Sequence, residues 1–467
     1  MRTGDSETRA QQARPRLALL AVGTLLYALA GWVVLFAGDR GGVAAVIGAL
    51  LLFIVGTAAA VAALIAPALF REPTLRPAAR SAGWLGLVGL LLLSSSLTLA
   101  VAALLLGSEL RGTATYGSDA AAFNHFNAEL VLAGQNPYTA DSRFWSAIRQ
   151  FPASGATPLR AGRYMNSRFG PSLDQIVRDV RSELDHPATR GPEFDAASMH
   201  SYPDLSFLVY VPVVWAGMRS TALASLVFWA LFLLACGWGA PRGARLPVAL
   251  ILLANTPLAI WSLLGAFEVA ALLPVVLAWR TFERPWLSSL LLGLACAVKQ
   301  IAWPLMPFFL ILAWRRYGWR DAATRLGILL AAFALVNLPY MIASPAAWAG
   351  SLFLPVTLPI FPSGMGIVAL SRVQLLPLWP PVVYALLEVA ALAVLLVWYA
   401  IRGWHYAPAL ALFLGLLPII LAWHSLLSYV IATVSLAVAG AVPLLQRDAA
   451  REDELNGAAR DAMIAPA

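Results

Sequence analysis

Long apolar runs alternate with short polar segments along most of the chain. A helix needs about 20 apolar residues to cross a bilayer, and most of the runs reach that length. Two runs, 204–218 and 266–279, are short, whereas 286–314 is long enough for two short helices broken near Pro304. The pattern predicts an all-α polytopic membrane protein with about twelve transmembrane helices. The runs are 17–38, 43–69, 83–107, 204–218, 221–239, 246–263, 266–279, 286–314, 326–344, 381–400, 407–423 and 425–445.

The composition agrees with a membrane protein and excludes other classes. Charged residues make up 12% and hydrophobic residues 60% of the 467 positions, whereas a soluble domain carries about 25% charged and about 45–50% apolar residues. Disorder, a coiled coil and an ordinary soluble enzyme are therefore excluded. The net charge of +8 comes from arginines that lie mainly between apolar runs, so it indicates membrane topology, and no nucleic-acid partner is expected. Cys236 and Cys296 fall in apolar segments, and neither a disulfide, a metal site nor a cofactor is predicted.

The distribution of arginine orients the predicted helices. Loops rich in Lys and Arg stay in the cytoplasm, which places the N-terminus, loop 70–82, loop 315–325 and the tail 446–467 there. The N-terminal transmembrane helices in 1–107 are then followed by an extracytoplasmic loop at 108–203. Loops of that length are usually functional.

Two arrangements of the transmembrane core, 204–445, remain open. Either 204–239 crosses the membrane once and 286–314 twice, or the reverse. Both give twelve crossings with both termini in the cytoplasm. The first is preferred because it keeps four arginines cytoplasmic. In either case an apolar, proline-rich loop at 345–380 is exported and is expected to lie at the membrane surface. The four arginines are Arg242, Arg245, Arg280 and Arg284.

Two helices are predicted in the extracytoplasmic loop. The first covers 119–133, where Phe123, Phe126, Leu130 and Ala133 form one apolar face. Gly134 ends it, and such a helix is expected to lie flat on the membrane.

The second helix covers 172–185, where Ser172 and Gln175 have the spacing of a capping box. Its polar face suits a packed surface helix or a substrate contact, and both interpretations remain open. Its apolar stripe is Leu173, Ile176, Val177, Val180 and Leu184.

Asp119 opens the first of these helices and has two interpretations. Its carboxylate can cap the helix by accepting a backbone N–H, because Asp is a preferred N-cap residue. Ser118 can cap equally well, and Asp119 would then be available for chemistry.

Several polar groups lie in or beside the apolar runs. Lys299 needs a counter-ion or an anionic ligand, because a lysine at bilayer depth costs about 2.5–3.5 kcal/mol; Glu268 and Glu388 are the candidate partners. His424 is expected at the outer surface, either as a structural group or as a ligand contact. Arg372 lies in the exported apolar loop, where it can anchor to lipid headgroups or have a specific role.

Taken together, these residues permit an inverting sugar transfer from a lipid phosphate. A single carboxylate deprotonates the acceptor hydroxyl, and cations stabilise the departing phosphate. The exported loops contain no Asp-x-Asp pair, so a metal-bridged diphosphate donor is less expected than a monophosphate.

Three stretches resemble a known family. The first is Asp119-Ala-Ala-Ala-Phe-Asn-His-Phe-Asn-Ala-Glu-Leu-Val-Leu-Ala-Gly134-Gln-Asn-Pro137-Tyr138. It resembles the Asp…(A/Y)…Gly-x-x-Pro-Tyr stretch of polyprenol-phosphate-mannose-dependent alpha-1,2-mannosyltransferases, which belong to the GT-C glycosyltransferase superfamily. The other two are Gly293-Leu-Ala-Cys-Ala-Val-Lys299-Gln-Ile-Ala-Trp-Pro304, similar to the family's Gly-x-x…Lys…Pro span, and Tyr202-Pro203 with Leu205, similar to its return into the membrane.

The resemblance implies a GT-C fold and assigns roles to individual residues. Asp119 would be the catalytic base, and three residues would bind the donor phosphate. Further site candidates are Glu268 and, within the matched stretch, His125 and Tyr138. The chain departs from the family in two additional spans at 17–69 and in an insertion of about sixty residues after Tyr138. The predicted phosphate-binding residues are Lys299, Arg372 and His424.

The predicted function is that of an integral plasma-membrane glycosyltransferase, a hexosyl- or pentosyltransferase, with its active site on the extracytoplasmic face. It would move a sugar, mannose by family default, from a polyprenyl phosphate to a lipid or glycan acceptor with inversion, and membrane lipids would surround it. The prenyl chain would lie under loop 345–380. The alternatives are a transporter or lipid flippase that uses Lys299 and Glu388, or a non-catalytic GT-C-like scaffold in envelope assembly.

Overall fold

Helices make up most of the described chain, and the predicted all-α class is confirmed. The computed structural model describes residues 13–37, 42–65, 77–111, 116–139, 143–153, 156–195, 201–353, 359–406 and 408–464. Arg71 and Arg76 of loop 70–82, on which part of the predicted orientation rests, lie outside these residues. A two-stranded parallel sheet, β1 (Ser363–Gly364) with β2 (His424–Ser425), interrupts the helices.

Within the described ranges, six helices are long and apolar enough to cross a membrane, and a bent pair brings the number to seven if it is one span. This result is consistent with a membrane protein. The six are Pro15–Phe36, Val43–Ile65, Gly83–Ser108, Trp319–Ala343, Pro381–Gly403 and Leu427–Ala450.

The first three helices are long and apolar. The first two form an antiparallel hairpin, because Arg16 at the start of one donates a hydrogen bond to the carbonyl of Ala63 at the end of the other. Inside the hairpin, the rings of Tyr27 and Phe53 lie 4.8 Å apart. The helices are α1 (Ala13–Ala37), α2 (Val43–Ile65) and α3 (Pro77–Leu110).

The segment 116–195 forms a small domain with its own apolar cluster. Its ion pairs centre on Arg163, which pairs with Asp179, Glu183 and Glu193. The helices are α4 (Asp119–Leu132), α5 (Arg143–Gln150), α6 (Leu173–Asp185) and α7 (Pro192–Asp195), with 3-10 turns at Gly162–Tyr164 and Pro187–Thr189.

The two helices predicted in this segment exist, but their surroundings differ from the prediction. Helix α4 does not have one apolar face, because Asn124, His125 and Asn127 are as buried as its apolar residues. Ser172 caps α6 and accepts from the Gln175 N–H, as predicted. The apolar stripe of α6 is narrower than predicted, since Leu173 and Val177 are exposed.

The central part of the chain consists of shorter helices. Run 286–314 is two helices, as predicted, and the break begins at Lys299, whose backbone is extended. Run 246–263 is bent by 60° before Thr256, where Pro257 lacks the N–H of a continuous helix. The helices are α8 (Leu205–Leu208), α9 (Val211–Trp215), α10 (Ala222–Gly237), α11 (Arg245–Leu253), α12 (Thr256–Leu263), α13 (Glu268–Arg280), α14 (Pro285–Val298), α15 (Leu305–Tyr317) and α16 (Trp319–Ala343), with 3-10 turns at Arg242–Ala244 and Gln300–Ala302.

The C-terminal part begins with the apolar segment 345–380 and ends in a long helix whose first half is buried. This helix and its predecessor pack into the main apolar core together with α1 and the helices of 222–317. The helices are α17 (Pro345–Leu352), α18 (Ile367–Arg372), α19 (Pro381–Trp398), α20 (Trp404–Tyr406), α21 (Leu410–Leu414), α22 (Leu427–Ile431) and α23 (Thr433–Ile464), with a π turn at Tyr399–Gly403 and a 3-10 turn at Leu417–Leu421.

One end of the bundle, which we call the arginine end, is defined by basic side chains. Arg16 pairs with Asp448 at 3.1 Å, and the Arg280 guanidinium donates to the Cys236 carbonyl over 2.7 Å. Arg316, at the end of α15, pairs with Glu283 at 3.0 Å. The opposite end, where α1 ends and α4 begins, we call the cavity end.

Candidate functional site

A cavity of about 670 Å³ opens at the cavity end. Five residues that the sequence singled out as site candidates line it, although they come from distant parts of the chain. Two are carboxylates, two are cations and one is an imidazole. They are Asp119, Glu268, Lys299, Arg372 and His424.

The Asp119 carboxylate is held from two sides. Its Oδ1 accepts from the N–H of Ala120 at 2.8 Å, and its Oδ2 accepts from the N–H of Thr157 at 2.7 Å. Ser118 occupies the N-cap position of α4, but its side chain makes no capping bond within the described chain. Burial raises the pKa of the Asp119 carboxyl, while the hydrogen bonds from Thr157 and Ala120 act in the opposite direction. A carboxylate of this kind is a stronger base than an exposed one.

Lys299 and Glu268 form a buried ion pair in the cavity wall. Lys299 Nζ lies 2.7 Å from Glu268 Oε1, and both side chains are at most 5% exposed. The Ser428 hydroxyl donates to the same oxygen over 2.9 Å. Of the two partners left open for Lys299, the structure therefore selects Glu268, and Glu388 does not line the cavity.

Three aromatic rings surround the Lys299 ammonium. The centroids of Phe267, Tyr429 and Tyr202 lie 4.2, 4.8 and 4.9 Å from Nζ. Ring faces attract a cation and keep water away from it. Tyr138 helps to position Tyr202, because the Tyr138 hydroxyl donates a hydrogen bond to the Tyr202 carbonyl over 3.2 Å.

His424 lies in the floor of the cavity and contacts segment 359–373, which forms part of the cavity's cover. Its Nδ1 and the Ser363 hydroxyl are 2.6 Å apart, and β1 pairs with β2 at these two residues. Burial, together with a smaller effect of the nearby charge of Lys299, lowers the pKa of His424 to about 4. At neutral pH His424 is therefore uncharged and offers a hydrogen bond, not a positive charge.

The cover needs a glycine at the strand pairing. Gly364 has φ +117, and a Cβ there would lie 2.0 Å from the Ser425 carbonyl oxygen. Beyond it, α18 carries the half-buried Arg372 into the lining of the cavity.

The insertion after Tyr138 forms another part of this cover. The Arg160 N–H donates to the Pro359 carbonyl over 2.8 Å, and Leu159 pairs with Ile360 in an antiparallel bridge. Residues 156–158 and 169–171 of the insertion, with Leu173, line the cavity. The insertion and segment 359–373 thus together enclose the part of the cavity that contains the Asp119 carboxylate.

One part of the lining is apolar and comes from the N-terminal hairpin. The end of α1 and the start of α2 contribute aliphatic side chains only. They are Val33, Val34, Ala45, Val46 and Ala49.

A close turn fixes α4 relative to α13. Gly265 has φ +96, and a Cβ there would lie 2.4 Å from the Ala121 Cβ. The Gly117 N–H also donates to the Leu264 carbonyl over 2.7 Å. This contact places Asp119 and Glu268, each near the start of its helix, in the same cavity.

His125 and Tyr138 lie outside the lining of the cavity. His125 is buried behind α4, where its Nδ1 is 2.7 Å from the Tyr116 hydroxyl and its ring stacks on Phe151 at 3.8 Å. Burial lowers its pKa to about 4. Tyr138 donates a hydrogen bond to the buried Asp204. Their contacts are those of positioning residues.

Sequence reasoning missed several residues of the wall. Thr157 holds Asp119 but lies in the insertion, where no motif distinguishes it. Ser428 supports Glu268 and is a serine in an apolar run. Tyr202 also lines the cavity, and its place in the Tyr202-Pro203 pair that resembles the family is a signal that could have identified it.

No group of three or more His, Cys, Asp or Glu side chains in the described ranges could hold a metal ion. No family model, curated protein or solved structure matches this chain. The fold and the site define an all-α protein, consistent with a membrane protein, that has a charged and partly apolar cavity at one end of its bundle.

Proposed function

We propose that the chain is a membrane glycosyltransferase of GT-C fold that transfers a sugar from a polyprenyl phosphate to a lipid or glycan acceptor. The observation that carries this proposal is the convergence of Asp119, Glu268, Lys299, Arg372 and His424 on one cavity whose lining also has an apolar part. An amphiphile with a charged headgroup and an apolar chain matches such a cavity.

In this proposal the bundle crosses the plasma membrane twelve times, with both termini and the arginine end in the cytoplasm. Residues 204–239 supply one complete pass, because α10 runs from Thr221, beside Tyr116, to the Cys236 region at the arginine end. Helices α14 and α15 supply two passes, since the break at Lys299 lies by Glu268 and α15 ends by Glu283. The positive-inside rule then puts the cavity on the extracytoplasmic face.

Asp119 is the general base. It accepts the proton of the acceptor hydroxyl as that oxygen forms a bond to the anomeric carbon of the sugar. The bond from the anomeric carbon to the phosphate oxygen breaks, and its electron pair leaves with polyprenyl phosphate. A single displacement of this kind inverts the anomeric carbon.

Arg372 is assigned to the departing phosphate, because a guanidinium matches phosphate geometry and stays charged. His424 contributes a hydrogen bond from the cavity floor. Lys299 adds positive potential, although Glu268 balances most of its charge at 2.7 Å.

The prenyl chain is assigned to the apolar wall of α1 and α2. The aliphatic residues there, Val33, Val46 and Ala49 among them, face the same cavity as the charged groups. The additional hairpin that separates this chain from the family it resembles thereby acquires a role in the donor site.

The test is transfer from radiolabelled polyprenyl-phosphate mannose, with the arabinose donor in parallel, into the lipids and glycans of membranes that contain the protein. Loss of a general base costs about 10²–10⁴ in rate, so Asp119→Asn should reduce transfer by that factor. Asp185→Asn, an exposed acid of the same loop, is the matched control and should transfer normally. Wild-type membranes that transfer no more than membranes without the protein, with either donor, would contradict the proposal.

The transporter alternative uses Lys299 and Glu388 as intramembrane charges. Lys299 pairs with Glu268 in the cavity wall, whereas Glu388 does not line the cavity, so the two charges of that alternative do not meet in one site.

A further inference from the structure

The two oxygens of the Glu268 carboxylate have different surroundings. Oε1 accepts from Lys299 Nζ at 2.7 Å and from the Ser428 hydroxyl at 2.9 Å. Oε2 is buried and has no hydrogen-bond partner among the described residues. The side chain is 4% exposed and lines the cavity.

A buried acceptor without a partner is costly, and native proteins satisfy nearly all such groups. The carboxylate cannot turn to satisfy Oε2 from within, because Lys299 and Ser428 fix its other oxygen. A donor supplied by a ligand in the cavity satisfies Oε2 without moving any protein group.

The charge balance defines the chemistry of that donor. Lys299 already compensates the carboxylate, and three aromatic rings enclose the ammonium. Lys299 would repel an additional cation, and the Oε2 atom of Glu268 would repel an anion. A neutral hydroxyl suits the position, since it donates one hydrogen bond and brings no charge.

We propose that Glu268 is a specificity-determining residue whose Oε2 accepts a hydrogen bond from a hydroxyl of the donor's sugar, with Lys299 as its fixed counter-ion. This inference rests on the proposed function. The sugar ring then lies in the part of the cavity between Asp119 and Glu268. Glu268 recognises the sugar, and Asp119 accepts the proton.

The experiment compares the binding of glycosylated and bare lipid phosphate to the purified full chain in detergent micelles. Native mass spectrometry measures the affinity for polyprenyl-phosphate mannose, glucose and arabinose, each against bare polyprenyl phosphate. A hydrogen bond to a charged group that is fully desolvated favours its ligand about tenfold or more. Wild type should prefer at least one glycosylated lipid by about that factor.

The variant Glu268→Gln should lose most of this preference. Because it leaves Lys299 without a counter-ion, the double variant Glu268→Gln with Lys299→Met is measured too; it removes both charges and should show the same loss. Glu388→Gln removes a membrane carboxylate outside the cavity lining and should retain the preference of the wild type.

A third measurement needs no variant. Singly deoxygenated sugars on the preferred lipid should lose the preference at one position of the ring. Equal binding of bare and glycosylated lipids by wild type, a preference retained by both Glu268 variants, or tolerance of every deoxygenation would overturn the inference. Failure of the proposed function is distinguishable, because it appears as absent transfer while the binding preference and its dependence on Glu268 persist.

Discussion

The backbone N–H of Thr157 donates a 2.7 Å hydrogen bond to Oδ2 of Asp119. Thr157 belongs to the insertion after Tyr138, and Asp119 begins α4, so the insertion directly holds the proposed base. It also pairs with segment 359–361. The insertion is therefore part of the site's wall and not a separate appendage.

Thr157→Pro removes this N–H and should make Asp119 harder to ionise. Hydrogen bonds from Thr157 lower the pKa of Asp119, so their loss raises that pKa, and the acid limb of the transfer rate moves to higher pH. Thr157→Ala keeps the N–H and loses only the side-chain contribution, so its shift should be smaller. Identical profiles for both variants and wild type would show that this bond does not act on the base.

The wild-type pH profile is itself a prediction. Asp119 accepts a proton only when it is deprotonated, and burial raises its pKa above the ordinary value of 3.8. The transfer rate should therefore fall as the pH decreases through a midpoint above 3.8. A rate that stays constant down to pH 3.8 would contradict the assignment of the base.

Lys299→Met should destabilise the protein strongly. It leaves the Glu268 carboxylate buried without its counter-ion, which costs about 3–5 kcal/mol. Adding Glu268→Gln should restore most of the lost stability, because no uncompensated charge remains. Thermal unfolding in detergent measures both variants.

The control for that cycle is Arg316→Met at the arginine end. Arg316 pairs with Glu283, which is 71% exposed, and an exposed pair contributes about 0–1 kcal/mol. If Lys299→Met changes the unfolding temperature no more than Arg316→Met does, the Lys299–Glu268 pair is not buried as described.

Tyr138→Phe should cost stability without abolishing transfer. The variant loses the hydrogen bonds to Asp204 and to the Tyr202 carbonyl, and leaving buried acceptors unpaired costs about 1–3 kcal/mol. Transfer should decrease far less than with Asp119→Asn, since Tyr138 lies outside the cavity lining. Tyr317→Phe, whose hydroxyl meets the exposed Glu283, is the control and should change stability by about 0.5 kcal/mol at most.

Gly265→Ala should disturb the contact between α4 and α13. The substitution adds a Cβ 2.4 Å from that of Ala121 at a φ of +96, so it should lower stability by more than about 1 kcal/mol. Ala121→Gly in the same chain relieves the collision but not the backbone strain, and should recover part of the loss. The control is Gly327→Ala, whose added Cβ lies in open space. It should be neutral or slightly stabilising in thermal unfolding.

The apolar runs predicted the helical class because a membrane-length helix needs only a long apolar stretch, and six described helices have that length and composition. Run 286–314 is divided as its length predicts, but the break begins at Lys299 and extends to Pro304, the residue at which the break was predicted. The apolar pattern could not show the 60° bend before Thr256, because the apolar run continues through Pro257.

Periodicity was a poorer guide for α4. Its spacing predicts one apolar face, yet Asn124 and Asn127 outside that face are buried too, since α5 of the insertion and the helices α8 and α9 also pack against α4. Tertiary packing of this kind leaves no mark on the spacing of residues within one helix.

Lys299 stands out in the sequence because a lysine in an apolar run is costly. Asp119 does not, since Asp is common at helix starts, and the family resemblance is what singles it out as a base. The choice of Glu268 over Glu388 for Lys299 depends on which helix ends meet, and no pattern within either run contains that information.

The most direct test of the central claim is an experimental structure of the protein with bound polyprenyl-phosphate sugar. The account predicts the sugar between Asp119 and Glu268, the phosphate at Arg372, and the first prenyl units against Val33 and Val46. A donor lipid bound elsewhere on the protein, with this cavity empty, would contradict the account.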